Sequence, residues 1–122
     1  MISYLMVGTN DLARAVNYFG VLMEAMGAAK VYQSEASAGW GWGIGTPMFI
    51  VANPYDKKAA TVGNGSMVSF AVDSKEKVDS LYAKALELGG TSEGGPGLRG
   101  ETLYAAYFRD LDGNKFNFIC YL

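Results

Sequence analysis

One pattern governs what this chain can become: a strand, a helix and three further strands, written twice within 122 residues. The first pass opens on residues 2–8, where Ile2, Tyr4 and Met6 fall on one face and Ser3, Leu5 and Val7 on the other. Thr9, Asn10 and Asp11 offer N-cap oxygens for a helix predicted to run to about Met26. Leu12, Val16, Phe19, Met23 and Met26 give it an apolar stripe, and Gly27 ends it. Residues 30–35, 39–45 and 48–53 read as three short strands, and 54–65, with its proline, paired lysines and Gly-Asn-Gly end, as a linker.

The pattern then restarts. Residues 66–72 form a strand, Asp73 and Ser74 a cap with Glu76 placed for a capping box from Asp73, and a helix runs to Leu88. Val78, Leu81, Ala85 and Leu88 face inward, and Gly89 and Gly90 stop the helix. Residues 91–93 start a strand and 94–100 read as a loop. A closing hairpin joins strands at 103–109 and 115–121 through Asp110-Leu-Asp-Gly-Asn114, where Asp112 and Gly113 suit positive φ angles. Neither half can hide its own sheet face, so one cooperative domain is expected: a first module at about 1–53, the linker 54–65, and a second module at about 66–122.

Charge and composition remove several classes of function. A net charge of −2 with no basic run longer than Lys57-Lys58 argues against nucleic acid as a partner. The opening residues lack the layout of a signal peptide and no apolar run approaches membrane-spanning length, so the expectation is a cytoplasmic protein with no membrane partner. The glycosylation-type sequon at Asn64 carries little weight in that setting. A lone Cys120 forms no internal disulfide and reads as a small core hydrophobe. The chain contains no histidine. That rules out Ser-His-Asp and Cys-His nucleophilic systems, histidine-ligated zinc and the two-histidine-one-carboxylate iron site.

The opening Met1-Ile-Ser-Tyr-Leu-Met-Val-Gly8, followed by Asn10-Asp-Leu, Arg14-Ala and Tyr18-Phe, resembles the start of the vicinal-oxygen-chelate superfamily of glyoxalase I, bleomycin-resistance and extradiol-dioxygenase proteins. Leu81-Tyr-Ala-Lys-Ala85 with Gly89-Gly90, and Tyr104-Ala-Ala-Tyr-Phe-Arg-Asp110 with Asp112-Gly-Asn114, are similar to the second half of its small bacterial glyoxalase-like members. The resemblance implies an α+β fold of two βαβββ modules, an open cup-like mixed sheet with helices on the convex side. It also implies a homodimer and a site on the concave face.

In that family a divalent metal commonly sits in the cup, on histidine or glutamine from the first strand of each module and glutamate from the last strand. Here the matching positions carry Tyr4, Met67 and Asn117, and the first module's last strand, 48–52, contains no carboxylate. A thioether suits a hard cation poorly, and neutral phenol and amide oxygens bring no charge to offset its dehydration. No cofactor is therefore expected. Asp110 to Asn114 does not make a calcium loop, because its glycine comes too early and Tyr121 holds the twelfth place.

What remains is a small-molecule receptacle lined by Tyr4, Met67, Ser69 and Asn117, with Ile119 beside them. Tyr107 joins if the hairpin register sets it opposite Asn117, which this turn does not decide. Trp40 and Trp42 share one face of a glycine-rich stretch and either wall the cavity, pack beneath a helix or meet a partner copy. Arg99 is placed to clamp a ligand carboxylate or phosphate, or else to lie in solvent or an ion pair. Glu35 and Glu101 are the carboxylates that could reach the cup as a general base.

Three readings follow. The first is a metal-free protein binding a small organic molecule, with Tyr4, Met67, Ser69, Tyr107, Asn117, Trp42 and Arg99 as its candidate contacts. A glyoxalase-type lyase or isomerase is the alternative, and a dimeric scaffold or regulatory protein with a vestigial site is the third.

Overall fold

The computed structural model describes residues 1–122. Its chain divides into two compact units, Met1–Val62 and Gly63–Leu122, the boundary falling inside the stretch expected as a linker. Each unit is a βαβββ module with its own mixed four-stranded sheet.

The first unit contains β1 (Tyr4–Gly8), α1 (Leu12–Ala25), β2 (Ala29–Gln33), β3 (Ser37–Gly41) and β4 (Met48–Ala52), with sheet order β1-β4-β3-β2. β1 runs parallel to β4, and the other pairings are antiparallel. Asp11 caps α1, its carboxylate accepting the Arg14 N–H at 3.1 Å. The buried face of α1 is Ala15, Tyr18, Phe19, Leu22 and Met23, a rotation away from the expected stripe that leaves Leu12, Val16 and Met26 half-buried. Phe19 sets this orientation by packing on Phe49 and Trp40, with ring centroids 4.9 and 6.4 Å away. Trp40 therefore lies under the helix.

β3 ends at Gly41, where a strand through residue 45 was expected, because Gly43 and Gly45 adopt φ of 121° and 85° in a turn. On the sheet face away from α1, Gly39 stands opposite Tyr32. A Cβ at Gly39 would meet the Tyr32 ring at 2.5 Å, so the missing side chain lets that ring lie flat and reach Ser37 Oγ at 3.0 Å.

The second unit contains β5 (Val68–Ala71), α2 (Lys75–Glu87), β6 (Thr91–Arg99), β7 (Leu103–Arg109) and β8 (Lys115–Tyr121), in order β5-β8-β7-β6. The cap of α2 is Ser74, accepting the Lys77 N–H at 3.1 Å, so Glu76 adds first-turn negative charge in place of the capping box expected from Asp73. Val78, Leu81 and Ala85 are buried beneath it, while Leu88 ends the helix half-exposed. Four phenylalanines form the core layer on the helix side. Phe108 stacks on Phe116 and Phe118 at 5.4 and 4.9 Å, and Phe70 stacks on Phe116 at 5.8 Å. Tyr104 and Tyr82 tie α2 to the sheet by donating to Asp79 and to Ser92, each at 2.7 Å.

Residues 94–100 were expected as a loop, but β6 runs through Arg99. It does so by bulging: Glu93 is extra between the Ser92–Phe108 and Gly94–Tyr107 pairs, and Gly95 and Pro96 together oppose Ala106. Pro96, with no N–H to give, thus sits where no ladder bond is asked of it. No helix is long and apolar enough to cross a membrane.

Candidate functional site

The face of the second sheet turned away from α2 carries a row of four residues, one from each strand. Ser69 on β5 pairs with Asn117 on β8, Asn117 pairs with Tyr107 on β7, and Tyr107 pairs with Gly94 on β6. The register question left open by the turn is thereby answered, and Tyr107 stands opposite Asn117. Asp110 sets that register. Its carboxylate accepts the backbone N–H groups of Asp112 and Asn114 at 3.0 and 2.8 Å and the Asn114 side-chain amide at 3.0 Å, locking a turn in which Gly113 takes φ 88°. Burial pushes the Asp110 carboxyl above its ordinary range, against the opposing pull of those hydrogen bonds.

Asn117 is 2 % exposed, and its Oδ1 has no hydrogen-bond partner. Leaving such an acceptor bare costs about 1–3 kcal/mol, and nearly all buried polar groups avoid it. Ile119 flanks it on the same strand face, while Ser69 remains exposed, as does Met67 just before β5.

Two cations converge on the Tyr107 ring from the strands that flank β7. The Arg99 guanidinium on β6 lies 5.4 Å from the ring centroid and the Lys115 ammonium on β8 lies 5.8 Å from it. Arg99 also donates to the carbonyls of Gly95 and Leu98 at 2.8 and 3.3 Å. A Cβ at Gly94 or Gly97 would come within 3.3 or 3.2 Å of that guanidinium, so the two glycines form the slot in which it lies. Farther along, Arg109 donates to Glu93 at 2.6 Å and to the Gly113 carbonyl at 2.8 Å. The Arg109 hydrogen bond and charge hold the Glu93 carboxyl below its ordinary range. Lys115 and Glu93 are site neighbours that the sequence reading did not single out. The period-two spacing from Lys115 to Asn117 was the available signal for the first.

The remaining candidates belong to the first unit. Tyr4 on β1 pairs with Met48 and is 51 % exposed on the face away from α1. Trp42 lies past the end of β3, its indole N–H donating to the Met26 carbonyl at 3.0 Å, where it caps the end of α1. Glu35 lines a cavity of about 1010 Å³ with Met6, Asn10, Asn53 and Tyr55. Two hydrogen bonds between the Asn10 side chain and the Ala60 backbone, at 2.7 and 3.2 Å, hold the 54–60 segment against this cavity. Glu101 is exposed in the turn between β6 and β7.

The donors at the three positions that the resemblance marks for a metal are a phenol, a thioether and a carboxamide. No three Asp, Glu or Cys side chains gather anywhere in a way that could hold an ion. That set does not fit a hard divalent cation.

The chain is similar along its whole length to a glyoxalase/bleomycin resistance protein from Albidiferax ferrireducens T118, with 33 % identity, 100 % and 99 % coverage of the two chains and a TM-score of 0.91. Two more distant structures share the fold. One is a glyoxalase/bleomycin resistance protein/dioxygenase family enzyme from Burkholderia phytofirmans PsJN (21 % identity, 98 % of each chain, TM-score 0.78). The other is lactoylglutathione lyase from Agrobacterium tumefaciens (18 % identity, 98 % and 92 % coverage, TM-score 0.72). No curated protein sequence matches. With residues 1–118 matching its family pattern and two βαβββ units in its fold, the chain belongs to the Glyoxalase/Bleomycin resistance protein/Dioxygenase superfamily.

Proposed function

We propose that this protein binds a small organic molecule without a metal, on the face of its second sheet turned away from α2. The bare, buried Asn117 Oδ1 carries this reading. An unmet acceptor is a standing cost to the fold, and a ligand N–H or O–H removes that cost on binding. Ser69, Tyr107 and Ile119 supply the polar and apolar neighbours that such a site uses. The same reading includes assembly of two copies, supported by edge strand β1, where Tyr4, Leu5 and Met6 remain exposed.

Asn117→Leu tests it. Leucine has a similar volume and no polar atom, so the variant should fold at least as stably as the wild type. A ligand-observed NMR screen of neutral and charged fragments should give hits on the wild type that disappear on the variant. Hits equally retained by Asn117→Leu would put the site elsewhere. Chelator-sensitive turnover of the methylglyoxal–glutathione hemithioacetal would replace binding with glyoxalase-type lyase chemistry.

A further inference from the structure

The charges around Tyr107 are unbalanced. Arg109 is neutralised by Glu93, but the polar contacts of Arg99 are to backbone carbonyls, and Lys115 rests against a ring. Three cations thus stand with one carboxylate along one sheet face: Arg99 pairs with Leu103 and Lys115 with Arg109, at opposite ends of β7, and both side chains reach the Tyr107 ring between them. The guanidinium is not adrift in solvent, because Gly94 and Gly97 shape its slot and Tyr107 forms one wall. A cation pre-positioned in this way has its ordering cost already met before any anion arrives. On the adjacent strand the buried Asn117 Oδ1 asks for a donor.

We infer that the molecule bound on this face is a small organic acid, its carboxylate met by Arg99 and Lys115 and a neighbouring hydroxyl or N–H donating to Asn117 Oδ1. This rests on the binding site proposed above and adds its chemical class. The acid accepts from both cations and its hydroxyl or N–H meets the bare Asn117 acceptor. A bare inorganic anion meets only the first requirement, and a neutral alcohol only the second.

Four probes separate these cases: mandelate, phenylacetate (the same acid without the hydroxyl), mandelamide (the same hydroxyl without the charge) and inorganic phosphate. Binding is followed by backbone amide shifts on the full chain. Mandelate should bind about five- to tenfold more tightly than phenylacetate, the worth of one hydrogen bond. Asn117→Leu should abolish that preference while leaving phenylacetate unchanged. The double variant R99Q/K115Q should weaken both acids and remove the salt dependence of their binding. Equal binding of mandelate and phenylacetate to the wild type overturns the inference. So does mandelamide matching mandelate, in which case a small-molecule site at Asn117 survives and its acid specificity does not. Phosphate shifting these amides while neither acid does so overturns it as well, and silence from all four overturns both readings.

Discussion

Gly39 offers the sharpest test of how the first sheet is built. Replacing it with alanine puts a Cβ 2.5 Å from Tyr32 Cε1 and 3.0 Å from Cδ1, while Ile50 at 3.5 Å is an ordinary neighbour. To regain normal separation the ring must move by roughly 1 Å or more. Its bond to Ser37 Oγ, 3.0 Å long, is then lost at a cost of about 0.5–1.5 kcal/mol. Uncovering roughly 50 Å² of a ring now two-thirds covered costs about 1.3 kcal/mol more. Against this, alanine restricts the unfolded chain and returns about 0.4–1 kcal/mol. The expected net loss for Gly39→Ala is about 0.8–2.4 kcal/mol. In a Tyr32→Ala background the clash is absent, so the same substitution should instead stabilise by about 0.4–1 kcal/mol. Both tryptophans, Trp40 and Trp42, lie in this unit, so urea unfolding followed by their fluorescence reads it directly. A cycle of four proteins should give a coupling near 2 kcal/mol at unchanged denaturant slope. Additivity within about 0.5 kcal/mol would show that Tyr32 does not occupy the space over Gly39.

Two further outcomes are expected. Phe118→Ala removes the ring stacked 4.9 Å from Phe108 and should cost about 3–5 kcal/mol, measured by far-ultraviolet circular dichroism in denaturant; a loss below about 1 kcal/mol would contradict the phenylalanine layer. Asp110 holds its proton more tightly folded than unfolded, so its contribution is present below the ordinary value of 3.8 and is lost as pH rises through the raised folded value. Stability should therefore fall across that window in the wild type relative to Asp110→Asn, and parallel pH profiles for the two proteins would refute this.

The duplicated strand–helix–strand order was legible because glycines and caps punctuate it and because each apolar run keeps a clean period. Side-chain direction was less so. The α1 stripe was misplaced because Phe19 chooses its partners, Phe49 and Trp40, across the sheet, and those contacts depend on strand order rather than on helical spacing. β6 hid for a different reason. Its glycines and Pro96 carry loop propensities, and only pairing with β7, which tolerates two bulges, makes a strand of it. At the site, Ser69 and Asn117 were legible from alternation. Tyr107 waited on the hairpin register, and the slot holding Arg99 required knowing that Gly94 and Gly97 face the guanidinium.

The bulged course of β6 also protects the protein from its own kind. As the last strand in its sheet it leaves one flank of backbone open, the place where a foreign segment could add on and seed fibrils. Pro96 interrupts that flank, the offsets at Glu93 and at Gly95 break its hydrogen-bonding rhythm, and the charge of Arg99 closes its far end. A chain in crowded solution would find too little regular backbone there to template its addition.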